Sequence, residues 1–207
     1  MSQPIGATNR CHEATKTSGP IVTKAVGRRM VLKCGIGLGV GLSLTPTLTL
    51  AQDDPASLRP RPGDFLVKED ARKPLTPDDI PAGAAQTLAW AMDPTDRTVR
   101  SGSRLNRVLL LRLDAEQLAA DTRARAASGV VAYTAVCTHT GCEVVEWLAT
   151  QQVLQCPCHF SQFDPRDGAR VVDGPAPRAL PALPLAIVDG NLVVAKPFTT
   201  RVGFEPA

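Results

Sequence analysis

CTHTGC, Cys137 to Cys142, is followed fourteen residues later by CPCH, Cys156 to His159. The whole chain has six cysteines and three histidines, and these two short boxes hold four of the cysteines and two of the histidines. Cysteine and histidine are common ligands of zinc and iron, and close cysteines can also form disulfides. The boxes therefore predict either a metal site or a pair of disulfides.

Three kinds of site are compatible with this pattern. Two disulfides would suit an exported protein, but they leave the similar placement of one histidine in each box unexplained. A structural zinc site often uses two close cysteines followed by two close histidines, whereas each box here contributes one cysteine and one histidine, with a cysteine to spare. A division of the donors between the boxes favours a binuclear centre, with two cysteines on one metal and two histidines on the other.

Composition and charge limit the function classes. A chain of 207 residues with 43% hydrophobic content can bury a core without a disulfide framework. Its 18 prolines, 16 glycines and low aromatic content (4%) indicate a turn-rich, mostly β body. Residues 1–51 hold six basic side chains against one acidic one, which leaves 17 basic and 19 acidic side chains in residues 52–207. Since the body is mildly acidic, no nucleic-acid partner is expected.

The N-terminal segment, residues 1–51, has the pattern of an export signal. Arg28 and Arg29, followed by apolar residues and Lys33, resemble a twin-arginine signal, and residues 34–51 carry no charge. At about 1.5 Å per residue these eighteen residues reach roughly 27 Å, barely the thickness of a bilayer. We therefore expect a cleaved signal ending near Ala51 or a retained membrane anchor. Both place the body on the periplasmic side of the bacterial inner membrane.

The rest of the chain divides by local pattern. Residues 52–85 are dense in Pro, Asp and Arg and predict a linker with turns, and residues 86–207 predict one mostly β domain. Residues 114–128 predict a surface helix that begins at Asp114 and ends before Gly129. Strands are predicted at 86–92, 107–113, 130–136, 143–148, 153–155, 185–188 and 192–195. The Asp-Gly-Asn between the last two predicts a hairpin turn.

The two boxes together resemble the paired boxes of Rieske iron–sulfur proteins, and the resemblance covers roughly residues 130–195. It implies an antiparallel β sandwich with a small cluster-binding subdomain at about residues 136–178, and a Rieske-type 2Fe–2S cluster as cofactor. By this resemblance Cys137 and Cys156 bind one iron, and His139 and His159 bind the other. The two remaining cysteines of the boxes, Cys142 and Cys158, are then implied to form a disulfide between the cluster loops.

Further residues around the boxes follow from the same resemblance. The segment from Gly174 to Pro177, which includes Pro175, resembles the proline loop that covers the cluster in this family. High-potential members usually have a serine and, two residues later, a tyrosine after the second box. This chain has Ser161 and Phe163 there, so one of two potential-raising hydrogen bonds is expected to be missing. Thr140 stands where the cytochrome bc complex subunit usually has leucine.

The histidine ligands and the extra disulfide imply a function. Replacing two thiolates by neutral histidines lowers the negative charge of a cluster, which favours electron uptake. The disulfide-containing members resemble exported proteins such as the cytochrome bc complex subunit and the arsenite oxidase small subunit. We expect one-electron transfer in an exported, membrane-bound respiratory complex of the quinol:cytochrome c reductase type, with quinol as donor and a cytochrome c-like acceptor.

Two alternatives remain open at this point. The first is the electron-transfer small subunit of a periplasmic molybdenum oxidase, in which a larger oxidase subunit is the donor. The sequence after the second box, with Phe160 following the histidine, is more similar to the arsenite oxidase small subunit. The second alternative is a non-redox zinc-binding protein. In both redox versions the chain is an electron-transfer subunit of an oxidoreductase complex.

Overall fold

The computed structural model describes residues 54–204. The predicted twin-arginine signal or anchor, residues 1–51, lies outside the described residues, as does Ala51 with its predicted cleavage site. Within residues 54–204, no helix combines the length and the apolar character needed to cross a membrane.

The described residues form ten short strands in two antiparallel sheets. The strands are β1 (Phe65–Lys68), β2 (Thr87–Met92), β3 (Val108–Arg112), β4 (Val130–Thr134), β5 (Glu146–Leu148), β6 (Val153–Gln155), β7 (Gln162–Asp164), β8 (Arg170–Asp173), β9 (Leu185–Val188) and β10 (Asn191–Val194). One sheet has the order β4-β3-β2-β1-β10-β9, and the other is a meander, β5-β6-β7-β8. The prediction of a mostly β, antiparallel fold is confirmed.

Two buried cores lie on opposite faces of β3 and β4, because successive side chains of a strand point to opposite sides. The first core contains alternate residues of these strands, such as Leu109 and Tyr133, together with Leu154 and Phe163 of the smaller sheet. The second core contains the residues in between, such as Leu110, and side chains from β1, β9 and β10. The first core therefore joins the smaller sheet to the larger one. Each fully buried leucine side chain contributes about 1.5–3 kcal/mol to the free energy of unfolding.

The prediction of a linker over residues 52–85 is wrong for its middle. Phe65–Lys68 forms β1, which lies inside the larger sheet between β2 and β10. Just before it, Asp64 forms a buried ion pair with Arg100, at 2.6 Å from the arginine Nε. A four-residue strand among Pro, Asp and Arg shows no periodicity of its own, and its pairing partners lie far away in the sequence.

The continuous surface helix predicted over residues 114–128 is also wrong. A 3₁₀ turn (Ala115–Gln117) follows Asp114, whose side chain accepts a hydrogen bond from the Glu116 backbone, and a single α turn, α1 (Ala120–Arg123), comes after it. Between them Leu118 is extended, and its side chain is buried in the first core. The segment is therefore two short turns separated by an extended, buried Leu118, and not one helix.

Both predicted hairpins are present in the structure. β5 and β6 pair as expected between the two boxes, with a strand start three residues later than predicted. β9 and β10 are joined by Asp189 and Gly190, both with positive φ, which is the two-residue turn that matches strand twist. β7 and β8 were not predicted. The smaller sheet, residues 146–173, lies within the range expected for the cluster-binding subdomain.

Candidate metal centre

The first box forms a closed loop just beyond the end of β4. The backbone N–H of Cys137 donates to the carbonyl of Cys142 at 2.7 Å, and the N–H of Gly141 donates to the carbonyl of Cys137 at 3.1 Å. β4 itself is held by β3, with Thr134 opposite Val108. The position of Cys137 is therefore set by the larger sheet.

The second box forms a similar loop between β6 and β7. The backbone N–H of Cys156 donates to the carbonyl of Ser161 at 2.9 Å, and the N–H of Phe160 donates to the carbonyl of Cys156 at 3.0 Å. Phe160 has a left-handed backbone, with φ of 58°, and its side chain is 63% exposed. Each box is thus folded around its first cysteine, and the second box presents an aromatic ring to solvent.

The two first cysteines are buried and are not part of a disulfide. Cys137 is 2% exposed and Cys156 is 1% exposed. Burial raises the pKa of the Cys137 thiol to about 11, the backbone N–H of His139 lowers it, and the neighbouring Cys156 sulfur raises it again. Two adjacent buried thiols cannot both ionise without a cation, so a bound metal would be needed to hold them as thiolates.

The imidazole rings of His139 and His159 lie in contact with each other. Their ring centroids are 4.6 Å apart and the ring planes are nearly perpendicular, at 87°. His159 is exposed, whereas His139 is half-buried, and within the described residues its Nδ1 atom is buried and has no hydrogen-bond partner. Such an atom costs roughly 1–3 kcal/mol if it stays unpaired, so this nitrogen is well placed to be a metal ligand.

The remaining two cysteines of the boxes form the predicted disulfide. Cys142 and Cys158 are bonded, with 6.5 Å between their Cα atoms, and the bond ties the two loops together. The sulfurs of Cys142, Cys156 and Cys158 lie within 4.8 Å of one another, but two of them are consumed by the disulfide. This trio is therefore not a ligand set, and the thiols that remain in the boxes are those of Cys137 and Cys156.

Ser161 is held under the proline loop. Its side chain is fully buried, and its hydroxyl oxygen accepts a hydrogen bond from the backbone N–H of Ala176 at 3.1 Å. Pro175 is exposed beside it, and Gly174 packs directly on the Ser161 backbone. Because the Ser161 oxygen is already an acceptor here, its proton remains free to be donated elsewhere in the site.

The two other residues predicted to lie near the centre have different surroundings. Phe163 is fully buried in the first core, where it packs among apolar side chains. Thr140 is exposed, and its hydroxyl lies 3.8 Å from the Cys142 sulfur. Phe163 is therefore a packing residue in this structure, and Thr140 lies at the outer side of the disulfide.

Several residues of the site were missed at the sequence level. Thr138 is fully buried, and its hydroxyl donates to the carbonyl of Arg178 at 2.6 Å. Arg107 forms an ion pair with Glu143 at 2.7 Å and thereby holds the residue after the first box. These partners are 40 and 36 residues apart in the chain. No local pattern could have indicated them.

The donor set fits an iron–sulfur centre. Two buried thiols, a buried imidazole nitrogen without a partner among the described residues, and an exposed imidazole together offer two sulfur and two nitrogen ligands. This is the set of a Rieske centre, in which two histidines replace two cysteines on one iron. Zinc also accepts sulfur and nitrogen ligands, so donor chemistry by itself does not separate the two.

Comparison with known proteins distinguishes an iron–sulfur centre from a zinc site. Residues 104–184 match the family described as the Rieske [2Fe-2S] domain. The chain is also 33% identical, over 145 residues, to the cytochrome bc1 complex Rieske iron–sulfur subunit of Streptomyces lividans, which covers 68% of this chain and 85% of that protein. The chain belongs to the Rieske iron–sulfur protein family. It is an electron-transfer protein whose cofactor is a 2Fe–2S cluster, and the family decides against zinc.

Other relatives match a shorter part. A protein of Haloferax mediterranei, named as a candidate Rieske subunit of a respiratory nitrate reductase, is 48% identical over 77 residues, which is 37% of this chain and 34% of that one. The solved structure of a hyperthermophilic respiratory complex III matches with 26% identity and a TM-score of 0.39, and it covers 59% of this chain and 74% of that chain. The chain thus spans only a third of the Haloferax protein.

Proposed function

We propose that this chain relays one electron at a time from quinol to a cytochrome c-like acceptor as the Rieske subunit of a respiratory complex of the bc1 type. The observation that carries the proposal is the make-up of the site, in which the thiols of Cys137 and Cys156 are buried and the His159 ring is exposed. Support also comes from the relatives, which include a bc1 complex Rieske subunit.

In this proposal Cys137 and Cys156 hold one iron, and His139 and His159 hold the other. When bound, the cluster supplies a one-electron carrier. The exposed imidazole of His159 gives the site a surface edge at which a donor or acceptor can make contact and a ring nitrogen that can bind or release a proton. The buried side, formed by the thiols and the first core, excludes water from the sulfur ligands.

The exported location belongs to the same proposal. The disulfide between Cys142 and Cys158 suits an oxidising compartment, and the pattern at Arg28 and Arg29 suits twin-arginine export to the periplasmic side of the inner membrane. Changing both arginines to lysine is expected to retain the protein in the cytoplasm. Cell fractionation measures this directly, and normal export of the double variant would contradict the twin-arginine route.

Quinol as donor is tested on the full chain in its native membranes. Addition of a reduced quinol is expected to produce the Rieske EPR signal, and addition of oxidised cytochrome c is expected to remove it. Dithionite provides the control, because it reduces the cluster without a quinol site. A signal that develops with dithionite but not with quinol would contradict the proposed donor.

A second candidate is the electron-transfer small subunit of a periplasmic molybdenum oxidase. It is favoured by the exposed Phe160 directly after His159, where the sequence is more similar to the arsenite oxidase small subunit. Purification of the full chain from native membranes distinguishes the two candidates. A b-type cytochrome in the purified complex supports the first, and a large molybdenum-containing subunit supports the second.

A further inference from the structure

Arg104 lies against the backbone of the first box. It begins the 3₁₀ turn Arg104–Asn106 that precedes β3, and its Nη1 atom donates to the carbonyl oxygen of Gly141. Its Nη2 atom is 3.2 Å from the position that a Cβ atom on Gly141 would occupy. Gly141 in turn donates to the carbonyl of Cys137. The Arg104 guanidinium therefore contacts a residue that is next to Cys142 in the sequence and two positions after His139.

The charge of Arg104 is not neutralised by a carboxylate within residues 54–204. The ion pairs found there do not include Arg104, whereas Arg107, three residues later, pairs with both Glu69 and Glu143. Arg104 is thus one of two arginines near the first box without a carboxylate partner among the described residues; the other is Arg178, which contacts Thr138 and Gly203. A charge of this kind favours any neighbouring group that becomes more negative.

The C-terminal part of the described chain covers this contact. The Phe204 ring reaches within 3.0 Å of the same Gly141 Cβ position, so ring and guanidinium lie together on Gly141. The residue before it, Gly203, is held by Arg178, whose Nη2 donates to the Gly203 carbonyl. Arg104 and Phe204 are both exposed overall, so the ring covers only the part of the guanidinium that lies on Gly141. There it lowers the access of water and ions, which strengthens the effect of the charge.

We propose that Arg104 is a positioning residue of the iron–sulfur site, which holds the first box and raises the reduction potential through its uncompensated charge, while Phe204 covers its contact with Gly141. The inference rests on the proposed assignment of Cys137 and His139 as ligands. Reduction adds one electron and hence one negative charge to the site. A fixed positive charge stabilises the reduced form more than the oxidised form, so it favours reduction.

The test compares Arg104→Gln with Arg104→Lys in the full-length, cluster-loaded protein, using protein-film voltammetry, iron content and EPR. Arg112→Gln is the control for distance, because Arg112 ends β3 opposite Val130, at the far end of the strand from the first box, where it is paired with Asp78. Arg104→Gln is expected to keep its iron and to lower the equilibrium constant for reduction roughly tenfold, which is about 59 mV for one electron. Arg104→Lys is expected to keep most of the wild-type value, and Arg112→Gln all of it.

Phe204→Ala provides a second, independent measurement. Loss of the ring is expected to expose the already accessible guanidinium further on its Gly141 side, so the potential should fall and should vary more with ionic strength than in the wild type. If Arg104→Gln loses its iron, the positioning role is supported, and Phe204→Ala then decides the electrostatic one. An unchanged potential in Phe204→Ala at every ionic strength would overturn it.

The failure of this inference is distinguishable from failure of the proposed function. A wild-type protein with a normal Rieske EPR signal, combined with a wild-type potential in an iron-loaded Arg104→Gln protein, overturns the role of Arg104 alone. A wild-type protein without a Rieske signal overturns the ligand assignment and this inference with it.

Discussion

Replacement of Gly174 by alanine tests how the proline loop is seated on the site. Gly174 has φ of 84°, and a Cβ atom there would lie 2.5 Å from the Ser161 Cα, 2.8 Å from the Ser161 nitrogen and 3.0 Å from the Phe160 carbonyl oxygen. All three are backbone atoms of the two residues that follow the second box, so none can rotate away as the end of a side chain could. The loop must therefore move off Ser161, and the hydrogen bond from Ala176 to the Ser161 hydroxyl is lost.

The expected loss of unfolding free energy follows from these contacts. The left-handed conformation costs alanine about 1–2 kcal/mol. Forcing a methyl group against packed backbone costs about 1–3 kcal/mol, and the lost hydrogen bond about 1 kcal/mol. We expect Gly174→Ala to lower the free energy of unfolding by about 3–6 kcal/mol, and to lower the reduction potential because Ser161 is no longer held.

Gly83→Ala is the matched control. Gly83 also has a positive φ, 67°, but nothing lies within 4 Å of its Cβ position, so only the conformational cost of about 1–2 kcal/mol applies. Urea unfolding of both variants in the cluster-loaded state, followed by circular dichroism and by the visible absorption of the cluster, gives the comparison. Equal midpoints for the two variants would refute the steric argument, and an unchanged potential in Gly174→Ala would refute the link to Ser161.

Three further predictions concern the centre itself. His139→Cys and Cys156→Ser are each expected to abolish the native Rieske EPR spectrum, since each removes one ligand, and an unchanged spectrum in either variant would contradict the assignment. Cys142→Ser is expected to assemble a cluster but to lose about 3 kcal/mol of unfolding free energy, the value for a disulfide that closes a loop of this length. Urea unfolding measures this, and stability equal to that of the wild type would argue against the disulfide as a structural tie. Ser161→Ala is expected to lower the equilibrium constant for reduction about tenfold, which is about 59 mV in reduction potential. Phe163→Tyr should raise the potential only if its hydroxyl finds room in the packed first core. Voltammetry on both variants measures this, and an unchanged potential in Ser161→Ala would contradict a role of Ser161 in setting the potential.

Much of this protein can be predicted from local sequence. The two boxes indicate a binuclear centre because residue types and short spacings are local properties, and the resemblance they carry implies the disulfide that the structure contains. Strands β2, β3, β4 and β9 are recognisable because each is an apolar run bounded by turn residues. The turn at Asp189 and Gly190 follows from the need for two positive φ angles.

Other features are decided only by tertiary contacts. β1 exists because β2 and β10 provide partners on both of its edges, and the helix predicted at 114–128 is interrupted where Leu118 is extended and buried in the first core. The placement of Arg104 on Gly141, and of Thr138 on Arg178, joins residues 37 and 40 positions apart. Residue types at short spacing indicate which chemistry a site can support. Contacts between residues so far apart in the sequence form only after the sheets have brought the loops together, so these contacts leave no local pattern in the sequence.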